Sequence, residues 1–359
     1  MKKITPEAKS SFINYGIVIV FFLVFQILSA TGHLSSSLSG QLIPICAYVI
    51  MALALNLVVG ISGELSLGHA GFMSVGAFTG VIVAGSLANV VTVGPLRLII
   101  AILVAAAIAA VAGVIIGVPV LRLRGDYLAI VTLAFGEIIK NLLNVLYVAY
   151  DSHGLHFGIS ALPSGLDADA TTLINGPMGA LGVTKLSTFI SGIILVLISL
   201  FIIQNLVNSR TGRAIKAIRD NRIAAEATGL NVTKYKLIAF VVSAAIAGAA
   251  GALYAMNFST IIPKKFDFNT SILILVFVVL GGIGNMRGSI IAAAILTVLP
   301  ELLRQFQDYR MLVYAIVLIL VMITTNNAKA RALITGCAEK ITGVFKKKSP
   351  DGKEAAADE

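Results

Sequence analysis

Ten apolar stretches, most of them about the length of a membrane crossing, restrict the fold of this chain more than any other feature. Hydrophobic residues make up 58% of its 359 residues and charged residues only 12%. A soluble fold could not bury so much apolar surface. The apolar area left exposed would exceed the patches of roughly a few hundred Å² that soluble monomers tolerate. The composition therefore excludes a soluble enzyme, a disordered chain, a disulfide scaffold and a nucleic-acid-binding module. It predicts an all-α fold, that of a polytopic helical membrane protein.

The positions of the basic residues predict how the stretches are oriented. If each stretch crosses the bilayer once, twenty of the 27 Lys and Arg residues lie on one side and six on the other, so we expect both termini in the cytoplasm. Lys2 and Lys3 also fit a cleaved signal peptide, but the long first stretch favours a retained crossing. The stretches have approximate boundaries at 12–30, 43–60, 72–90, 97–121, 126–149, 187–207, 236–257, 269–282, 286–304 and 309–325.

These boundaries define the expected domain organisation. A cytoplasmic tail covers residues 1–11, a transmembrane domain covers 12–325, and a basic cytoplasmic tail covers 326–359. Inside the transmembrane domain, residues 150–186 form an external loop and residues 208–236 an internal one. We refer to residues 208–236 as the coupling loop, for the reason given below.

Two apolar regions, one in each half of the chain, are interrupted by glycine and polar residues. Such breaks in corresponding places of two related halves are typical of a translocation pathway, because they expose backbone groups that only water, substrate or protein can satisfy. The alternative is that the glycines simply allow close helix packing. Polar side chains favour the pathway role for the first break. The first break, residues 60–71, contains Gly63, Glu64, Ser66, Gly68 and His69 and follows Asn56; the second, residues 280–288, contains Gly281, Gly282, Gly284 and Asn285.

The fifth stretch carries the clearest charges inside the apolar region. Glu137 and Lys140 are three residues apart, so they share one helical face and can form an ion pair. Each charge costs about 2.5–3.5 kcal/mol at the centre of a bilayer, so the pair must face protein or water. Two interpretations remain open: a cavity lining or subunit interface, and an internal pair that fixes helix packing. His69 is a third titratable group at this depth, but no metal ligands accompany it in sequence, and we expect no metal site.

The coupling loop has the pattern of a basic amphipathic helix. Apolar residues such as Ile215 and Ile218 recur at helical spacing, with arginines and lysines on the other side. This surface could lie on anionic lipid, but its acidic residues favour docking of a short helix into a groove on a soluble partner. Thr233 is the expected cap of the following helix. The candidate docking residues are Gly212, Arg213, Arg219, Asp220, Ala224, Ala225, Glu226 and Gly229.

The chain contains no G-x-x-x-x-G-K-[ST] motif, which would cradle nucleotide phosphates. We therefore expect no cofactor bound by this chain, and any ATP that drives it would be bound by another polypeptide. The alternative to a transporter driven by ATP is an ion-driven secondary transporter, in which Glu137 or His69 would titrate.

Four ordered segments resemble the permease subunits of ATP-binding-cassette importers for branched-chain amino acids, in particular the larger of the two paired types. The segments are residues 55–72, residues 121–133 with 136–138, residues 211–229 running into Tyr235, and residues 280–288. The favoured solutes are leucine, isoleucine and valine; because permeases for urea and short amides are similar, these compounds and other amino acids are the alternative.

The resemblance implies a transport subunit that is not an enzyme, located in a bacterial plasma membrane. It implies a second, similar permease as partner, two ATPase subunits that carry ATP and Mg²⁺, and an external solute-binding protein. The ATPases would contact the coupling loop around Arg213 to Gly229, and the binding protein would contact the external loop.

Overall fold

The computed structural model describes residues 6–30, 36–88, 90–123, 125–151, 154–163 and 170–303, with single residues or pairs between 309 and 319. Most of this part of the chain is helical. The helices, numbered α1 to α11 in chain order, are Pro6–Ala30, Ser36–Asn56, His69–Ser86, Gly94–Val120, Asp126–Val145, Phe189–Asn208, Arg210–Asp220, Arg222–Ala227, Val232–Ala255, Phe268–Gly281 and Met286–Leu302. Of the last predicted stretch, 309–325, the structure describes only single residues and pairs up to residue 319, so this prediction lies largely outside the described residues.

Six helical segments of the described chain are long and apolar enough to cross a membrane: Leu38–Ser62, His69–Ser86, Gly94–Val120, Tyr127–Val145, Phe189–Asn208 and Val232–Ala255. Two shorter apolar helices, Asn14–Leu28 and Phe268–Gly281, accompany them. Large aliphatic side chains on the outer faces of α1, α4 and α6 are exposed, as expected for surfaces that contact lipid. The chain is therefore a multi-pass membrane protein.

Small residues bring α3, α4 and α9 together at the centre of the helices. A Cβ on Gly76 of α3 would lie 2.0 Å from the carbonyl oxygen of Gly248 in α9, and one on Gly248 would lie 2.3 Å from Ala109 Cβ in α4. Contacts this close leave no room for larger side chains, so the glycines bring the backbones within van der Waals distance, as small residues do in membrane helices.

Residues after α5 form strands, which the all-α prediction did not include. The predicted stretch 126–149 is a helix only to Val145, because the chain continues as an antiparallel sheet. Strands β1 (Leu146–Asp151), β2 (Gly154–Ile159) and β3 (Thr171–Asn175) pair in the order β2-β1-β3, and β4 (Ala180–Leu181) pairs with β5 (Thr260–Ile261). Alternation of exposed Leu155, Phe157 and Ile159 along β2 is the period-two pattern of a strand.

Candidate functional site

The first break begins where α2 ends. After Asn56 the backbone continues as a π-helical turn, Leu57–Ser62, all of whose residues are buried. Gly63 closes this turn with a φ of 76°, a left-handed conformation that glycine adopts without strain. Residues 63–68 form neither helix nor strand, and α3 begins at His69. π-helical turns are uncommon and often occur at functional sites.

The two breaks are in direct contact. A Cβ on Gly60 would lie 2.3 Å from the backbone nitrogen of Gly284, so the two chains approach backbone to backbone. The buried side chain of Asn56 joins them: its Oδ1 accepts a hydrogen bond from the Gly284 N–H at 2.8 Å, and its Nδ2 donates to Ser289 Oγ at 3.0 Å. These hydrogen bonds join Asn56 to residues that lie 228 and 233 positions further along the chain.

The second break is a tight turn between α10 and α11. Gly282 and Gly284 have φ values of 93° and 82°, which other residues rarely adopt. A Cβ on Gly288 would lie 1.7 Å from the carbonyl oxygen of Gly281, so the helices on either side cross with only backbone between them. The backbone carbonyl of Asn285 accepts from the Ser289 N–H at 3.1 Å and starts α11. The geometry of this break therefore requires the glycines that the sequence analysis singled out.

The rest of the first break runs along α5 and α10. Gly68 packs on the Thr132 carbonyl and Gly71 on the Cα of Gly136, at positions where a Cβ would lie 2.1 and 2.9 Å away. Thr132 Oγ1 accepts from the Leu67 N–H at 3.1 Å. Ser271 Oγ of α10 accepts from the Ala70 N–H at 3.2 Å. The backbone amides freed by the break therefore bond to hydroxyl groups of neighbouring helices.

His69 is buried, and both nitrogens of its ring have a hydroxyl partner. Its Nδ1 lies 3.0 Å from Ser66 Oγ, and its Nε2 lies 2.7 Å from Ser243 Oγ. Because the Ser243 hydroxyl donates to the Ala54 carbonyl at 2.6 Å, its oxygen accepts from His69 Nε2–H, and Nδ1 accepts from Ser66. This arrangement satisfies a neutral imidazole and favours a structural role, since it joins α2, α3 and α9.

The coupling loop is helical, but it folds into two short helices, α7 and α8, where its pattern predicted one. Ile215 and Ile218 are buried against the helices, and Ala225 packs with Ile218 and Val232. Asn221 caps α8 and accepts from the Ala224 N–H at 3.0 Å. Asn231, and not the predicted Thr233, caps α9, since its side chain accepts from the Lys234 N–H.

The opposite face of α7 and α8 is exposed. Ile223 has 81% of its surface accessible, beside an ion pair between Arg222 Nε and Glu226 Oε1 at 2.8 Å. Gly212 is buried near the start of α7, and Gly229 follows the end of α8 with a φ of 84°. An apolar side chain surrounded by charges on two projecting helices is a suitable contact surface for a protein. Arg213 Nη1 donates to the Asn208 carbonyl at 3.1 Å, within the loop itself.

Two cations of the coupling loop reach the first break. Arg219 Nη1 donates to the Gly60 carbonyl at 2.9 Å, while its Nε and Nη2 both donate to Asp220 Oδ1. Lys236, at the start of α9, forms an ion pair with Glu64, and each side chain is 13% exposed. The candidate docking residues and the candidate pathway residues are therefore neighbours in space.

The predicted ion pair between Lys140 and Glu137 forms, with exposures of 18% and 32%. Glu137 Oε1 also accepts from the Phe268 N–H at 3.2 Å. The neighbouring Asp267 carboxylate caps α10, accepting from the Thr270 N–H at 3.0 Å. This group lies at the opposite end of α10 from the second break, so the structure does not place it with Gly60 and Gly284.

Several residues of this site were not singled out from the sequence. Ser243, Ser271, Ser289 and Lys236 all lie on apolar helices far along the chain from their partners. For the three serines, the only sequence signal of a role in the site is their position within an apolar run, because small polar residues in membrane helices form hydrogen bonds to neighbouring helices.

Comparison with known proteins connects this geometry to transport. Residues 37–322 match the family described as "Branched-chain amino acid transport system / permease component". The chain is 39% identical over 287 residues to the high-affinity branched-chain amino acid transport system permease protein LivM of Salmonella typhimurium, and 38% identical over 286 residues to LivM of Escherichia coli. Each match covers 77% of this chain and 66% of the relative, slightly less than two thirds of that protein's length.

A second kind of permease is also similar. The probable branched-chain amino acid transport permease protein LivH of Methanocaldococcus jannaschii is 30% identical over 130 residues, which are 36% of this chain and 39% of that protein. No solved structure matches the chain.

Proposed function

Because this chain belongs to the family of branched-chain amino acid transport permeases, we propose that it is a permease subunit of an ATP-binding-cassette importer for leucine, isoleucine and valine. Its relatives are transport subunits and not enzymes. ATP and Mg²⁺ would be bound by two partner ATPase subunits, and an external binding protein would deliver the solute. The similarity to both kinds of permease supports a second, related permease as the other half of the pathway.

The exposed surface of α7 and α8 is the observation that carries this proposal. It projects between two candidate membrane spans, α6 and α9, with Ile223 almost fully accessible. A transport subunit without a nucleotide site needs such a surface to contact the ATPase subunits that supply the energy. We assign the contact with the ATPases to the coupling loop, including Arg213, Asp220, Ala224, Glu226 and Gly229.

The proposed topology has ten crossings, with residues 1–11 and 326–359 in the cytoplasm of a bacterium and residues 150–186 outside its plasma membrane. The distribution of Lys and Arg supports it. Both breaks then lie at the cytoplasmic end, beside the coupling loop. The external loop, with its three-stranded sheet, would face the binding protein.

In the proposed mechanism the two breaks form the cytoplasmic gate. Closure of the ATPases would move α7 and α8, and these helices contact the first break through Arg219. The contact of Gly60 with Gly284 would be the closed position of the gate. The Glu137–Lys140 pair, at the other end of α10, would line the pathway or the contact with the second permease.

Transport by the complete complex tests this function. The chain, with the second permease, the ATPases and the binding protein, is reconstituted in proteoliposomes, and uptake of labelled leucine is measured with and without ATP. Unlabelled isoleucine and valine are expected to compete, and urea and acetamide are not. Uptake without ATPases that a protonophore abolishes would instead show an ion-driven transporter.

A further inference from the structure

Two cationic side chains connect the coupling loop to the first break across a large distance in sequence. Arg219 and Gly60 are 159 residues apart, and Lys236 and Glu64 are 172 residues apart. One contact is a hydrogen bond to a backbone carbonyl, and the other is a partly buried ion pair. Both anchor points, Gly60 and Glu64, lie within the first break.

The Arg219 guanidinium is held in a fixed orientation. Asp220 Oδ1 accepts from Nε at 3.0 Å and from Nη2 at 2.8 Å, so Nη1 is directed to the Gly60 carbonyl. The absence of a side chain at Gly63 makes room for this geometry, because a Cβ there would lie 2.7 Å from Arg219 Cγ. Arg219 therefore crosses over one residue of the break to bond another.

The accepting residue is itself part of the contact between the two breaks. Gly60 lies against the backbone of Gly284, and Asn56, one turn earlier, bonds both Gly284 and Ser289. A displacement of α7 that pulls on the Gly60 carbonyl consequently acts on the contact between the breaks, with a single hydrogen bond in between.

We propose that Arg219 and Lys236 are positioning residues that fasten the first break to the coupling loop, so that the break follows α7 when the loop moves. The proposal rests on the proposed function for what moves the loop, but the fastening itself is a property of this chain. It assigns to Arg219 a role toward the pathway in place of contact with the ATPase. A charge-assisted hydrogen bond is stronger than a neutral one, which suits it to transmit such a displacement.

The first measurement is the amount of solute transported for each ATP hydrolysed by the reconstituted complex. Arg219→Gln is expected to lower leucine uptake by about tenfold, the size of effect expected for one hydrogen bond to a charged group, and to leave ATP hydrolysis within about twofold. Arg219→Lys, which keeps a donor and the charge, is expected to restore part of the uptake. Lys216→Gln is the matched control: it removes a positive charge from the same helix, and Lys216 makes no hydrogen bond to the first break in the described structure.

The second pair allows an exchange of charges. Lys236→Glu alone places two carboxylates together and is expected to reduce uptake, and adding Glu64→Lys is expected to recover it. Lys234→Gln, at an exposed position of the same turn of α9, is the control. Failure of the double exchange to recover any uptake would contradict the fastening role of this pair.

Hydrogen exchange of the purified chain tests the fastening without transport. Arg219→Gln is expected to increase amide exchange within residues 57–68 relative to Lys216→Gln, since the break loses one of its supports. Unchanged exchange there, or equal transport ratios in the two variants, would overturn the proposal. If the unaltered complex fails to import leucine while exchange in Arg219→Gln still rises, the proposed function is wrong and the fastening stands.

Discussion

Gly60 in the first break and Gly284 in the second are so close that a Cβ on Gly60 would lie 2.3 Å from the Gly284 nitrogen. The same atom would lie 2.0 Å from Asn56 Oδ1, which accepts the Gly284 N–H. Any side chain at Gly60 must therefore separate the breaks and displace the asparagine that joins them.

Gly60→Ala is expected to destabilise the protein by about 1–3 kcal/mol, the usual cost of forcing extra atoms into a packed interior. Uptake should fall as well, because the closed contact between the breaks no longer forms. Thermal unfolding in detergent and uptake in proteoliposomes measure the two effects. Gly40→Ala is the control in the same candidate span, Leu38–Ser62, since a Cβ there meets nothing within 4 Å; equal behaviour of both variants would contradict the packing argument.

Replacement of Asn56 by alanine is expected to cost about 1–3 kcal/mol, because it leaves the buried Gly284 N–H without its acceptor. The effect should not add to that of Ser289→Ala, since both changes remove the same contact. A double-mutant cycle on thermal stability measures the coupling. Strict additivity would show that the two residues act independently.

The Glu137–Lys140 pair makes a different prediction. Glu137→Leu leaves Lys140 without its carboxylate and the Phe268 N–H without its acceptor. It is expected to destabilise by about 1–3 kcal/mol, and more than the double change Glu137→Gln with Lys140→Met, which removes both charges and keeps an acceptor. If the double variant is stable but does not transport, the pair lines the pathway; recovery of both properties shows a structural pair.

Acid stability should depend on Asp267. Burial acts to raise the pKa of this carboxyl group, but hydrogen bonds from the Thr270 N–H and the Asn269 amide, with Lys140 nearby, outweigh it and lower the pKa. Because the pKa in the folded state is below that in the unfolded state, the contribution is complete above the unfolded pKa and is lost as the pH falls through the folded pKa.

Asp267→Asn keeps an N-cap without a titrating group. Thermal unfolding between about pH 6 and about pH 3 is therefore expected to show a shallower loss of stability for this variant than for the unaltered chain. Identical pH profiles would remove Asp267 as the source of acid sensitivity.

Ile223 tests the docking surface. Ile223→Asp is expected to weaken association with the ATPase subunits by at least about tenfold, because exposed apolar anchors dominate such contacts. It should leave the stability of the chain unchanged, since 81% of the side chain is accessible. Co-purification of the ATPases measures association, and Ile159→Asp, at an exposed position of the three-stranded sheet, is the control. Retention of the ATPases by Ile223→Asp would contradict the assignment.

Local features of the fold could be predicted from the sequence. Apolar length identified the helices, and the spacing of Ile215 and Ile218 identified the buried face of α7. The three-residue separation of Glu137 and Lys140 was sufficient to predict their ion pair. In each case the partners lie within one or two helical turns, where the periodicity of the helix determines the geometry.

Contacts between distant segments could not be predicted in this way. The glycines of both breaks were recognised, but nothing in either segment indicates that Gly60 meets Gly284 or that Arg219 bonds the Gly60 carbonyl. These contacts depend on how whole helices pack. Residues 146–149 of the strand Leu146–Asp151 were assigned to a helix because a short apolar run does not distinguish a helix from a strand.

The side chain of Asn56 holds the two breaks together through two hydrogen bonds. Its oxygen and its nitrogen have different partners, Gly284 and Ser289, which are five residues apart at the start of α11. If this segment moves away from Asn56 by the length of one hydrogen bond, both hydrogen bonds break together. The amide is therefore expected to have two states, bonded to both partners or to neither, and the proposed gate should open in a single step and not gradually.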